Sequence, residues 1–291
     1  MSLSEVPSNG PPLDRRLTPA RPDLAAASLR GRVEAAQFVE GWRRRVVEGA
    51  APLRRAPTHQ APLETEALYG ESVMVYEENE GWAWAQLERD LYVGFMPAEA
   101  LGAPDAPTHR LVVPRSFAYP GPSIKLPPTI ELSLGARLAV KTSQGDFAAT
   151  ADGLYVYAQH LALLAARPPD FVAVAERFIE APYLWGGRTW LGIDCSGLVQ
   201  TALTEAGVEA PRDTDMMEAS LGVPVAFDEA LADLRRGDLV FWKGHVGIMR
   251  DARTLLHANG WHMRVVSEPL RAACDRTAEK GGGPITSIRR L

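Results

Sequence analysis

The chain has 291 residues, 46% hydrophobic and 23% charged, enough to bury the cores of two or three domains. With 31 basic against 36 acidic residues the net charge is -5, which leaves no electrostatic footprint for nucleic acid. Cys195 and Cys274 are the only cysteines, and no C-x-x-C or His/Cys cluster has metal-ligand spacing, so neither a metal nor a cofactor is expected.

In chain order, residues 1–22 are rich in Pro, Ser and Arg and read as an irregular arm. The opening MSLSEVPSNGPPLDRRL lacks the charged-then-apolar pattern of a leader, and no later stretch is long and apolar enough to span a bilayer. The expectation is a cytoplasmic protein with no membrane span. Within Asp23 to Val39, the run LAAASLRGRVEAAQFV predicts a short helix beginning at Asp23 and ending near Gly31, its basic residues on a solvated face. Residues 1–39 thus form an arm and a short helix.

From Glu40 the pattern changes to short β-runs broken by turns, and it repeats. The first copy, Leu68 to Leu101, aligns with the second, Ser133 to Leu161. Gly70 matches Gly135, Trp82-Ala83 matches Phe147-Ala148, and Leu91-Tyr92-Val93 matches Leu154-Tyr155-Val156. Each copy has the size of one small β-barrel, giving units at 40–104 and 105–165 joined by the proline-rich APDAPTHR.

The chemistry lies in residues 166–291. The stretch PYLWGGRTWLGIDCSGLVQTALTEAG, Pro182 to Gly207, carries a glycine loop, an N-cap residue at Asp194 and then apolar residues at helical spacing. Cys195 therefore falls on the first turn of a buried helix, where the dipole and unpaired N–H groups favour thiolate. A Cys195–Cys274 disulfide is rejected because it would consume that nucleophile. Downstream, GDLVFWKGHVGIMRD reads as two strands with a Lys243-Gly244 turn, the second strand beginning at His245. The apolar run Thr254 to Ala258 puts His257 on a neighbouring strand, whereas His262 lies outside it. Cysteine, base and orienting group are the set needed for thiol acyl transfer.

The order PYLWGG, DCSGL, GDLVFW, HVGIM and LLHA, from Ala166 onward, resembles the NlpC/P60 family of bacterial cell-wall peptidases. The two β-copies resemble bacterial SH3-like domains. The resemblance implies an α+β fold, a permuted papain-like catalytic domain preceded by two SH3-like barrels. It implies Cys195 as nucleophile, His245 as general base, His257 as the residue that orients His245, and Tyr183 near the oxyanion site. It further implies a murein peptide as substrate, L-Ala-γ-D-Glu-diamino acid with a free N-terminal amine, cut after D-Glu, as in the recycling of wall peptides. Asp194, Ser196, Asp213 and Thr214 would line the amine pocket, closed from the first barrel by Glu71 and Tyr92. Asp194 is singled out because its charge opposes the neighbouring thiolate, which a substrate cation would explain; the plain alternative is an N-cap. No obligate protein partner is inferred. Two other readings are an exported hydrolase acting on intact wall and a non-catalytic wall-binding protein.

Overall fold

The structure, a computed structural model, describes residues 13–291. The first part of the expected arm, residues 1–12, lies outside the described residues. The expected helix at 23–39 does not form. Leu24–Ala26 is a strand, Ala27–Leu29 a single 3-10 turn, and Gln37–Val39 a strand pairing in parallel with the first. Leu24, Ala25 and Ala26 are all buried, so this stretch has no polar face to offer a surface helix, and Gly31 at φ +79° breaks the chain after the turn. A helix this short also has too few hydrogen bonds to repay nucleation.

The first β-unit is one seven-stranded antiparallel sheet, with Leu63–Leu68 and Leu101–Gly102 at the two ends of its hydrogen-bonded order. Alternation sets its core: Val73 and Val75 from one strand meet Ala83, Ala85 and Leu87 from the next, all buried. The second unit, from His109–Leu111 to Leu161–Leu163, comprises a five-stranded and a three-stranded sheet around Leu111, Leu132, Leu138 and Val156. The repeat is realised in part: the one strand Ser72–Asn79 corresponds to two in the second copy, Arg137–Leu138 and Val140–Gln144, which lie in different sheets. Gly70 and Gly135 both take positive φ, Trp82 and Phe147 each open the return strand of a hairpin, and single 3-10 turns follow at Ala98–Ala100 and Ala158–His160.

The remainder is built on a six-stranded antiparallel sheet whose central strands, Leu239–Trp242, His245–Met249 and Thr254–Asn259, are neighbours. Short helix α1, Phe171–Glu176, precedes α2, Cys195–Glu205, and α3, Thr214–Ser220; α4, Leu270–Glu279, follows the sheet's fifth strand in sequence, Arg264–Pro269. α2 packs Leu198, Val199, Ala202 and Leu203 against Val246, Ile248, Leu256 and Ala258, while α4 covers the other face with Leu270 and Ala273 against Val240, Met249 and Leu255. Each such buried aliphatic side chain contributes roughly 1.5–3 kcal/mol. The sheet is thus sandwiched, and the first turn of α2 is pinned against the start of the His245–Met249 strand.

Candidate active site

Asp194 is the N-cap of α2, extended at φ -95° and ψ 179°, and its Oδ1 accepts the Gly197 N–H at 2.6 Å. A Cβ at Gly197 would stand 2.4 Å from the Gly187 carbonyl oxygen, so only glycine lets the loop backbone close over the helix start. Cys195 is buried at 7% exposure, and its thiol pKa is pushed up to about 11, first by burial and second by the Asp194 charge. The Val246 N–H, the Thr214 hydroxyl and the Arg212 charge act in the opposite direction. The pull toward thiolate expected from the helix start is therefore outweighed. A helix terminus contributes about 0.3–1 kcal/mol when exposed and up to ~2 kcal/mol when partly buried, and here desolvation exceeds it.

His245 Nε2 lies 2.8 Å from His257 Nδ1, and His257 Nε2 lies 2.8 Å from Glu268 Oε1. The sheet register explains this reach: Leu255 pairs with Glu268, placing the carboxylate diagonally beside His257 on the same face. A Cβ at Gly247 would approach the His257 Cβ to 3.2 Å, so glycine in the adjacent strand makes room for the imidazole. Arg276 from α4 donates to Glu268 Oε2 at 2.7 Å. Burial raises the Glu268 pKa, but the His257 and Arg276 hydrogen bonds outweigh it and bring the carboxyl to about 2.

An ionised carboxylate only accepts, which fixes every proton in the row. His257 carries its hydrogen on Nε2 and accepts at Nδ1 from His245 Nε2–H. The lone pair of His245 is then on Nδ1. The Asn259 amide nitrogen also lies 2.9 Å from His257 Nε2, held there because its Oδ1 accepts the His262 N–H at 2.8 Å. The charge-assisted bond to Glu268 is roughly twice as strong as a neutral contact and decides the tautomer. Burial lowers the His245 pKa to about 3 and His257 follows in the same direction for the same reason, so both rings are neutral near pH 7.

Cys195 opens into a cleft of about 850 Å³ between the first β-unit and the catalytic part. Tyr183, Ser196, Thr214, Asp213 and Tyr92 all line it, as the sequence expected. Burial raises the Tyr183 phenol pKa, with the Cys195 and Asp194 charges adding to the effect. The Tyr92 hydroxyl donates to Asp213 Oδ2 at 3.1 Å, with Glu64 Oε2 at 3.5 Å. Asp213 occupies the N-cap position of α3, yet its side chain makes no cap bond. It is turned to Tyr92 and to Arg16, whose Nη1 donates to Asp213 Oδ2 at 2.7 Å.

Two expected substrate contacts are corrected. Glu71 is buried and does not line the cleft; it pairs with Arg89 and, at 3.3 Å, with Arg188. The first unit's acid in the cleft is Glu64. Asp194 borders the cleft but is saturated: Arg212 grips it bidentately at 3.0 and 2.7 Å, and Gly186 and Gly197 donate their N–H groups. No lone pair is left over for a substrate amine. Arg212, 1% exposed, also donates to Ser196 Oγ at 2.7 Å and to Thr65 Oγ1 at 2.8 Å, tying the helix start to the first β-unit.

Sequence reasoning missed Glu64, Arg16, Arg212, Glu268, Arg276 and Asn259 as parts of the site. Glu64 left one signal: it sits on the edge strand with Glu66, at the two-residue spacing that puts both acids on one face.

A buried thiol at a helix start and an imidazole row locked to a carboxylate are the groups that thiol acyl transfer uses. Residues 180–277 match the NlpC/P60 family, and residues 53–101 match the bacterial dipeptidyl-peptidase Sh3 domain. The chain is 30% identical over 239 residues to dipeptidyl-peptidase 6 of Lysinibacillus sphaericus, covering 74% of this chain and 86% of that protein. The chain belongs to the NlpC/P60 family of cysteine peptidases, with a bacterial SH3-like domain ahead of the catalytic one. It is 25% identical over 210 residues to the γ-D-glutamyl-L-lysine dipeptidyl-peptidase of Bacillus cereus, covering 64% of this chain but 61% of that protein's length. The fold is similar to the crystal structure of an NlpC/P60 family protein from Bacillus cereus, with a TM-score of 0.73 at 21% identity over 86% of this chain and 99% of that one.

Proposed function

We propose that this chain hydrolyses the γ-D-glutamyl–diamino acid bond of small wall-derived peptides with a free N-terminal L-Ala, acting in the cytoplasm in murein-peptide recycling. The observation that carries this reading is the Tyr92–Asp213–Glu64 group, brought to the nucleophile's cleft by the first β-unit. Burial raises the Asp213 pKa, so a second cation beside Arg16 stabilises its charged form. A terminal ammonium supplies that cation. The relatives that bear dipeptidyl-peptidase names support the same substrate class.

His245 Nδ1 takes the thiol proton as Sγ attacks the γ-carbonyl carbon. A C–S bond forms and the oxygen becomes an oxyanion, met by the Cys195 N–H on the first turn, where no intrahelical acceptor exists. His245, now imidazolium, protonates the leaving amine as the C–N bond breaks. Water, deprotonated by His245, then splits the thioester and releases L-Ala-D-Glu and the free thiol. The His257–Glu268 pair stabilises the imidazolium through the row of hydrogen bonds. Keeping both partners neutral at rest means that charge develops only on the way to the transition state.

The test compares L-Ala-γ-D-Glu-diaminopimelate with its N-acetyl form in wild type and Asp213→Asn. A hydrogen bond to a charged group is worth about 1.5–3 kcal/mol, so kcat/KM for the free peptide should fall roughly 10–150-fold in the variant. The acetylated peptide, already poor, should be nearly unaffected. Equal losses on both peptides would sink amine recognition at Asp213.

A further inference from the structure

Where the two β-units and the catalytic part converge, a cavity of about 170 Å³ is lined by Arg110, Arg137, Arg167 and Arg188 against only Glu71 and Glu205. Glu205 ends α2, whose first residue is Cys195, so at 1.5 Å per residue the cavity lies about 15 Å from the nucleophile. Arg110 pairs with Glu205, and Arg188 shares Glu71 with Arg89. Among the described residues, Arg137 and Arg167 have no carboxylate within ion-pair distance. Both nonetheless act on the same acids: Arg167 and Arg137 on Glu205, and Arg137 on Glu71.

Four guanidiniums thus face two carboxylates. Arg110 and Arg188 are 4% and 2% exposed, and their Nε atoms, with the Thr201 hydroxyl, have no hydrogen-bond partner among the described residues. Buried donors are almost always satisfied, so these three groups call for acceptors in the cavity. Burial first, and the neighbouring Arg89 charge second, lower the Arg188 pKa to about 10. Water would supply acceptors but no charge, and the two lining carboxylates are already paired, Glu71 with Arg89 and Arg188 and Glu205 with Arg110. A tetrahedral oxyanion supplies both, because it accepts from several planar guanidiniums at once. The space is several times the ~30 Å³ share of one water, which admits such an ion with some of its hydration. An adjoining hollow shares Arg110, Arg167 and Glu205 with the cavity and adds Arg177, so the approach is also cationic.

We propose that this cavity binds a small multivalent oxyanion, phosphate or sulfate, that fastens the three parts of the chain together behind the nucleophile helix. The test is thermal unfolding of the full chain during titration with sodium phosphate, and separately sulfate, against sodium chloride at matched ionic strength. Wild type should show a Tm that rises with the logarithm of phosphate or sulfate concentration above Kd, but not with chloride. Calorimetric titration of wild type with phosphate should give a single site, and phosphate should not compete with peptide substrate. In Arg137→Gln/Arg167→Gln, which orphans no carboxylate, half-saturation should move at least tenfold higher. The same charge loss at exposed Arg32→Gln/Arg253→Gln should leave it unchanged. An equal rise with chloride, or an identical response in the double variant, would overturn the proposal. So would competition with substrate, which would place the anion in the catalytic cleft.

Discussion

Replacing Glu268 with Gln preserves the shape of the side chain but removes the acceptor-only group that sets the imidazole tautomers. Arg276 donates to the carbonyl end of the new amide, which turns the NH₂ toward His257 Nε2. His257 then carries its hydrogen on Nδ1, His245 accepts at Nε2, and His245 Nδ1 is protonated and useless as a base toward Cys195. Restoring the correct tautomer means forgoing a charge-assisted hydrogen bond worth about 1.5–3 kcal/mol, so kcat should fall roughly 10–150-fold with KM little changed. The variant is also less stable. The Glu268 pKa falls from 4.5 to about 2 in the fold, so its contribution, roughly 3 kcal/mol, is present above the ordinary value and lost as pH drops through 2. Glutamine forfeits it at neutral pH. The assay is therefore steady-state cleavage of the tripeptide well below Tm, with far-UV circular dichroism confirming the fold. A kcat within twofold of wild type would refute the proton row.

Alkylation by iodoacetamide reports the resting thiol. With the Cys195 pKa near 11, its rate should climb about tenfold per pH unit from 7 to 10, whereas a pH-independent rate between 6 and 8 would mean a preformed thiolate–imidazolium pair. His245 is neutral in the fold down to about pH 3 but protonates near 6.5 once unfolded. Its contribution is complete above 6.5 and shrinks as pH falls from there, so Tm should decline on acidification and the decline should flatten in His245→Gln. Arg212→Met leaves Asp194 buried and unpaired; unfolding free energy should fall by about 3–5 kcal/mol, and a loss under 1 kcal/mol in chemical denaturation would contradict the ion-pair account.

The positions of Cys195, His245 and His257 were legible because each lies in a local pattern: a cap and helical spacing for Cys195, and apolar strands that carry His245 and His257. The repeat was legible for the same reason, since glycines at positive φ and hairpin turns mark strand ends whatever packs on them. What stayed hidden was chosen by tertiary contact. Arg16 comes from an arm almost 200 positions before Asp213, and no local signal ties the two. Glu71 was expected in the cleft from the family resemblance, but it is drawn inward by Arg89 and Arg188. The Leu63–Leu68 edge strand lies against the glycine loop instead, so Glu64 takes the place beside Tyr92. The helix expected at 23–39 failed because a run of small apolar residues suits a buried strand as well as a helix, and burial decided it.

The most direct measurement is mass spectrometry of L-Ala-γ-D-Glu-diaminopimelate incubated with wild type and with Cys195→Ala, beside intact peptidoglycan. The account predicts release of L-Ala-D-Glu from the free tripeptide, its loss in the variant, and no digestion of intact wall. Cleavage of intact wall, or no cleavage of either substrate, would contradict it.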